Sequence, residues 1–158
     1  MQYTEKKQLT SNVWLQLTVY YNMYFSCIYF VVGTYLAYYK LFEVFNLDYT
    51  QLFLLPFTWI LWSIAEVARF FFAYEGNLKE RVPQLAAFIL FTMVQIACLL
   101  YLSFGQTLMF PIEPALALTS LIFCLFELIL SRTALYALID RQTANFLRLR
   151  QDEDEKND

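Results

Sequence analysis

The chain has 158 residues, 59% of them apolar and 16% charged, with a formal net charge of −3 and no histidine. A soluble domain is about 45–50% apolar, and here the excess is gathered into four long blocks, which suits lipid better than water. The acidic excess comes mostly from Asp152, Glu153, Asp154, Glu155 and Asp158, there is no basic stripe for nucleic acid, and Cys27, Cys98 and Cys124 stand singly inside apolar blocks, so a metal cluster or disulfide framework is not expected.

Residues 1–12 are polar and are read as a cytoplasmic N-terminal segment. The apolar run behind them is far longer than the roughly 7–15 residues of a signal-peptide core and has no small-residue cleavage pattern, so an uncleaved first span is expected. A crossing helix needs about 20 mostly apolar residues, and the blocks that meet this are 13–39, 52–74, 83–104 and 115–139. The connecting stretches carry the Gly, Pro and charge expected where a chain leaves lipid. These runs lack period-two alternation and exceed the roughly 9–11 residues of a membrane strand. The expected fold is therefore all-α, an integral membrane four-helix bundle over residues 13–139.

Positive side chains are retained on the cytoplasmic side. Lys6, Lys7, Lys79, Arg81, Arg141, Arg148, Arg150 and Lys156 fall on one side of the expected spans, against Lys40 alone on the other. Both termini are thereby expected in the cytoplasm. In the tail, 140–158, Arg141, Arg148 and Arg150 mix with Phe146, Leu147 and Leu149. That stretch reads either as a helix lying on anionic lipid or as a solvated helix end. The like-charged end is expected to be disordered.

Four charged residues lie inside the expected spans: Glu66 and Arg69 in the second, Glu127 and Arg132 in the fourth. Ionised groups are costly in lipid and normally face partners. At 1.5 Å of rise per residue, counted from the cytoplasmic edge of each apolar block, Glu66 lies roughly 12 Å deep, Arg132 roughly 10 Å and Asn22 roughly 13 Å, with Gln95 and Glu127 both roughly 18 Å deep. Two interhelical layers are expected: Asn22 with Glu66 and Arg132, and Gln95 with Glu127. The competing arrangement pairs Glu66 with Arg69 on one helix face, Arg69 reaching toward the headgroups. An ion or proton path is weighed too, but only Gly33 and Pro56 interrupt the spans, whereas such paths use broken helices with continuous polar lining.

Tyr20, Tyr21, Tyr24, Tyr29, Tyr35, Tyr38 and Tyr39 crowd the first span. Those at its ends suit an interfacial belt, and the central ones need hydrogen-bond partners, which a bound lipid or partner helix would supply, although packing inside the bundle is the preferred source. No nucleophile stands near a base and no Gly-rich loop could hold phosphate, so neither an enzyme nor a cofactor is expected.

The segment EVARFFFAYEGNLKERVPQL, residues 66–85, resembles the central hairpin of the family of transmembrane proteins 17, 80 and 216, matching it at Glu66, Arg69, Gly76, Asn77, Leu78 and Pro83. The LQLTVYYNMYF of the first span is similar to the opening helix of that family, while the resemblance is not followed past residue 139. On physical grounds Gly76 and Asn77 suit a left-handed helix stop, Pro83 suits the first turn of the next helix, and Lys79 and Arg81 hold the hairpin in the cytoplasm. The resemblance implies a noncatalytic four-span subunit of the tectonic-like, Meckel-syndrome-associated complex at the ciliary transition zone. There it would restrict membrane-protein passage and support cilium assembly and Hedgehog signalling. Its partners would be membrane lipids and other transition-zone membrane proteins, related tetraspan proteins among them, with homo- or hetero-oligomers left open. The competing functions are a small channel or transporter using Glu66 and Glu127, and, last, a lipid-modifying enzyme.

Overall fold

A computed structural model describes residues 12–43 and 48–157. The expected N-terminal segment, with Lys6 and Lys7, thus lies outside the described residues except for Asn12. Asn12 starts the first helix, its Oδ1 accepting from the backbone N–H groups of Trp14 (3.0 Å) and Leu15 (3.3 Å), the usual way to satisfy orphan donors at a helix start. Helix α1 then runs Val13–Glu43, α2 Tyr49–Ala73, α3 Val82–Phe104 and α4 Ile112–Asn157. All four are long and apolar enough to cross a membrane, and no strand occurs among the described residues.

Between α2 and α3 the chain makes one π-helical turn, Tyr74–Leu78. Gly76 and Asn77 belong to this right-handed turn, and the residue with positive φ is Glu80, at 53°, so the expected left-handed stop falls elsewhere. Gly76 is needed for a different reason. A Cβ there would lie 2.6 Å from the Leu85 nitrogen and 2.8 Å from its Cα, contacts that only backbone movement could relieve. Pro83 sits in the first turn of α3, where a missing N–H costs nothing. Leu78 is exposed.

The second departure is the tail. Residues 140–157, expected to end in disorder, continue α4 as helix, exposed from Gln142 to Asp154. The last proline in the chain is Pro114 and the last glycine Gly105, while Glu, Gln, Lys, Arg, Leu and Ala are good helix formers, so nothing in the sequence stops α4. At 46 residues it is roughly 70 Å long, more than twice the hydrocarbon thickness.

Around the bundle the order follows the chain: α2 packs on α3, α3 on α4, α4 on α1, and α1 more lightly on α2. Two apolar clusters fill the interior. One, near the α2–α3 hairpin, contains Leu15, Val19, Ala73, Leu85, Phe88 and Ala134. The other, toward the opposite end, contains Tyr29, Leu55, Trp62, Leu99 and Ala117. Gly33 lets α1 approach the Trp59 ring of α2, which would collide with a Cβ there, and the Trp59 indole N–H donates to Thr34 Oγ1 at 3.1 Å. Tyr29, 4% exposed, is the tyrosine that packs inside, against Trp59 and Trp62. Tyr20, Tyr21, Tyr24, Tyr35, Tyr38 and Tyr39 face outward, so packing within the bundle does not account for them.

Candidate functional site

Each helix places polar side chains between the two apolar clusters. Helix α1 brings Asn22 and Ser26, α2 brings Glu66 and Arg69, α3 brings Thr92 and Gln95, and α4 brings Glu127, all at most 5% exposed. Asn22 and Ser26 are one helical turn apart and share a face, as do Glu66 and Arg69. The elements thus project these groups into one layer, at the middle of α3, in the first half of α1 and in the last third of α2.

Arg69 is the hub. Its Nε and Nη2 donate to Glu66 Oε2 at 3.1 and 2.7 Å, its Nη1 pairs with Glu127 Oε2, and the same nitrogen lies 3.3 Å from Cys124 Sγ. Ser26 donates its hydroxyl to the other Glu66 oxygen, and Asn22 Nδ2 donates to Glu127 Oε1 at 2.9 Å. Three helices are joined by one guanidinium and two carboxylates. A planar, multi-donor cation is the side chain suited to bridging two carboxylates at once.

This differs from the expected layers in three respects. Asn22 meets Glu127, not Glu66. Gln95 is buried at the centre, but neither of its amide atoms has a hydrogen-bond partner among the described residues, so it does not tie to Glu127. Arg132 is exposed on α4, and the guanidinium expected there is supplied by Arg69, wholly buried rather than reaching for the headgroups. The cause lies in the depth arithmetic, which placed the lipid edge of α4 where its apolar block ends. Because α4 continues as helix, that edge is not marked by the block. Ala134 packs in one cluster with Leu15 in the first turn of α1, which puts Arg132 near the end of the bundle.

Two further polar groups close the ends. At one, Asn77, 4% exposed, donates through Nδ2 to the Asn12 carbonyl (3.1 Å) and to Gln16 Oε1 (3.3 Å) and accepts the Asn12 N–H (3.0 Å). The hairpin is thereby clamped to the start of α1. At the other, Lys40, 1% exposed, donates to Gln106 Oε1 and Glu113 Oε2, both at 2.6 Å, joining α1 to the α3–α4 connection. Sequence reasoning missed Ser26, Cys124, Asn12 and this Lys40 cluster. Two signals were available: Ser26 repeats the face of Asn22, and Lys40 and Glu113 are opposite charges in the connections at the same end.

Among the described residues no group of three or more His, Cys, Asp or Glu side chains is placed to hold a metal ion. Apolar clusters cover the central layer on both sides along the bundle axis. Fold and centre together define a four-span helical membrane protein whose spans are keyed to one another by a buried charged network.

A family model, Transmemb_17, described as "Predicted membrane protein", matches residues 17–124; the chain belongs to the transmembrane protein 17 family. It is 30% identical to transmembrane protein 17 of Gallus gallus over 88% of this chain and 66% of the relative. Against the Homo sapiens protein the identity is 27%, over 89% and 71%. Against transmembrane protein 17A of Danio rerio it is 32%, over 91% and 65%. The chain spans about two thirds of the length of these relatives. No solved structure matches it.

Proposed function

We propose that this chain is a noncatalytic structural subunit of the tectonic-like complex at the ciliary transition zone, where it supports cilium assembly and the membrane diffusion barrier and thereby Hedgehog signalling. Family membership over residues 17–124 supports the place, and the central network supports the mode of action. The observation that carries the structural role is that Glu66, Arg69 and Glu127 spend their hydrogen bonds on one another and on Asn22 and Ser26. Such a network fixes the register of helices and leaves little for turnover or transport. Both termini are assigned to the cytoplasm. Lys79, Arg81, Arg141, Arg148 and Arg150 belong to the hairpin and tail at one end of the bundle, whereas Lys40 stands at the other, as the retention of positive charge on the cytoplasmic side requires.

A tagged copy expressed in ciliated cells tests this reading. Concentration at the ciliary base together with copurification of tectonic-like membrane partners is expected. Uniform plasma-membrane staining would refute it.

A further inference from the structure

Beside the Lys40 cluster the bundle holds a cavity of about 20 Å³ to which all four helices contribute. Its walls are mostly apolar, with Ala37 of α1 and Leu116 of α4 among them, but Tyr29, Gln106 and Glu113 line it as well. Tyr29 and Gln106 are buried and the Glu113 side chain is nearly so, so little of this chamber meets the surroundings. Its volume exceeds the roughly 10–15 Å³ that one water requires and leaves no room for a larger ligand.

The polar groups around the cavity are incompletely used. Tyr29 packs its ring edge-on against Trp59 and Trp62, yet its hydroxyl forms no hydrogen bond among the described residues, although a buried tyrosine O–H usually finds a partner. At Glu113 one oxygen, Oε2, accepts from Lys40 Nζ at 2.6 Å and from the Phe110 backbone N–H at 2.9 Å, while Oε1 accepts from none of the described residues. Gln106 Nε2 donates to the Leu102 carbonyl at 2.9 Å, which uses one of its two amide hydrogens. A hydroxyl donor, an amide donor and a carboxylate acceptor are thus left over around a space that fits one water, whose usual complement is about three hydrogen bonds. A cation has less reason to enter, because Lys40 already matches the single carboxylate.

We propose that this cavity is a hydration site, in which one ordered water accepts from the Tyr29 hydroxyl and the Gln106 amide and donates to Glu113 Oε1. The water ties the middle of α1 to the α3–α4 connection and carries the polar contacts of the Lys40 cluster one step into the bundle. It also gives the Tyr29 hydroxyl the partner that its aromatic neighbours do not supply. The site concerns the purified protein alone, so it stands or falls apart from where the protein localises in cells.

The test uses the full chain in lipid nanodiscs and X-ray radiolysis, which turns water into hydroxyl radicals where it stands and so oxidises the side chains beside it. With rates normalised for the intrinsic reactivity of each ring, Tyr29 is expected to be oxidised several-fold faster than Phe88, which is buried in the other cluster and does not line this cavity. When the protein is mixed with water carrying heavy oxygen just before exposure, the label is expected to reach Tyr29 later than Tyr49, which is exposed at the start of α2. Ala37→Val and, separately, Leu116→Phe crowd the cavity from α1 and from α4, and a variant that keeps the parent's elution profile is expected to lose the excess oxidation at Tyr29. Oxidation of Tyr29 no faster than that of Phe88 would overturn the proposal, since the cavity would then be dry. So would label reaching Tyr29 in step with Tyr49, the sign of bulk access in place of a held water, or excess oxidation unchanged in a folded variant. If neither variant folds, the comparison with Phe88 and the arrival of the label decide alone.

Discussion

The central layer and the Lys40 cluster are both buried ion pairs in one bundle, yet they are built to different rules. At the centre one guanidinium serves two carboxylates, the three being at most 5% exposed. At the outer end Lys40 meets Glu113 one to one, and the Glu113 side chain keeps 12% exposure. A group near the end of a span can fall back on water or headgroups when its partner is lost. A group at the middle has only the protein. The cation is therefore the indispensable member at the centre, whereas at the outer end either partner can be spared at moderate cost.

The largest expected effect is from Arg69→Leu, which strands two carboxylates in the interior. The cost should be about 3–5 kcal/mol, seen as loss of the folded form in detergent unfolding titrations. Gly76→Ala comes next at about 1–3 kcal/mol, the range for forcing extra atoms into a packed site, because the new methyl meets the Leu85 backbone. Lys40→Met should cost about 1–2 kcal/mol by the same titration, since Glu113 regains solvent in place of its partner. A Lys40→Met loss as great as that of Arg69→Leu would erase the distinction between the two sites. Glu127→Gln is expected to be milder than Arg69→Leu, because the amide keeps the shape and leaves one carboxylate to one guanidinium. Smallest of all is Arg132→Gln, exposed on α4, which should stay within about 0.5 kcal/mol of the parent. A large loss there would restore the pairing with Glu66 that residue spacing alone suggested.

The spans were readable because lipid imposes a long apolar block on every crossing helix. The expected blocks 83–104 and 52–74 differ from α3 and from α2 by only one to three residues at their ends. The end of α4 was not readable, because the end of an apolar block marks neither where a helix stops nor, where the helix runs on, the height at which it leaves lipid. That same confusion misplaced the partners in the central layer. Asn22, Glu66, Arg69 and Glu127 stood out as polar groups in apolar blocks, but which pairs they formed depended on relative helix heights. An error of one turn is 5.4 Å, enough to exchange one partner for another. Asn77 was legible as part of a hairpin motif, while its clamp on Asn12 depended on the hairpin folding back beside the start of α1, which no local pattern announces.

The most direct test of the account is a double-mutant cycle between Arg69 and Glu127, using Arg69→Gln, Glu127→Gln and the pair, with unfolding free energies measured in one detergent system. If the buried network keys α2 to α4, the cycle should show a coupling of about 1 kcal/mol or more, within the range found for residues in one network. Losses that simply add, to within about 0.3–0.5 kcal/mol as for distant and independent sites, would contradict it.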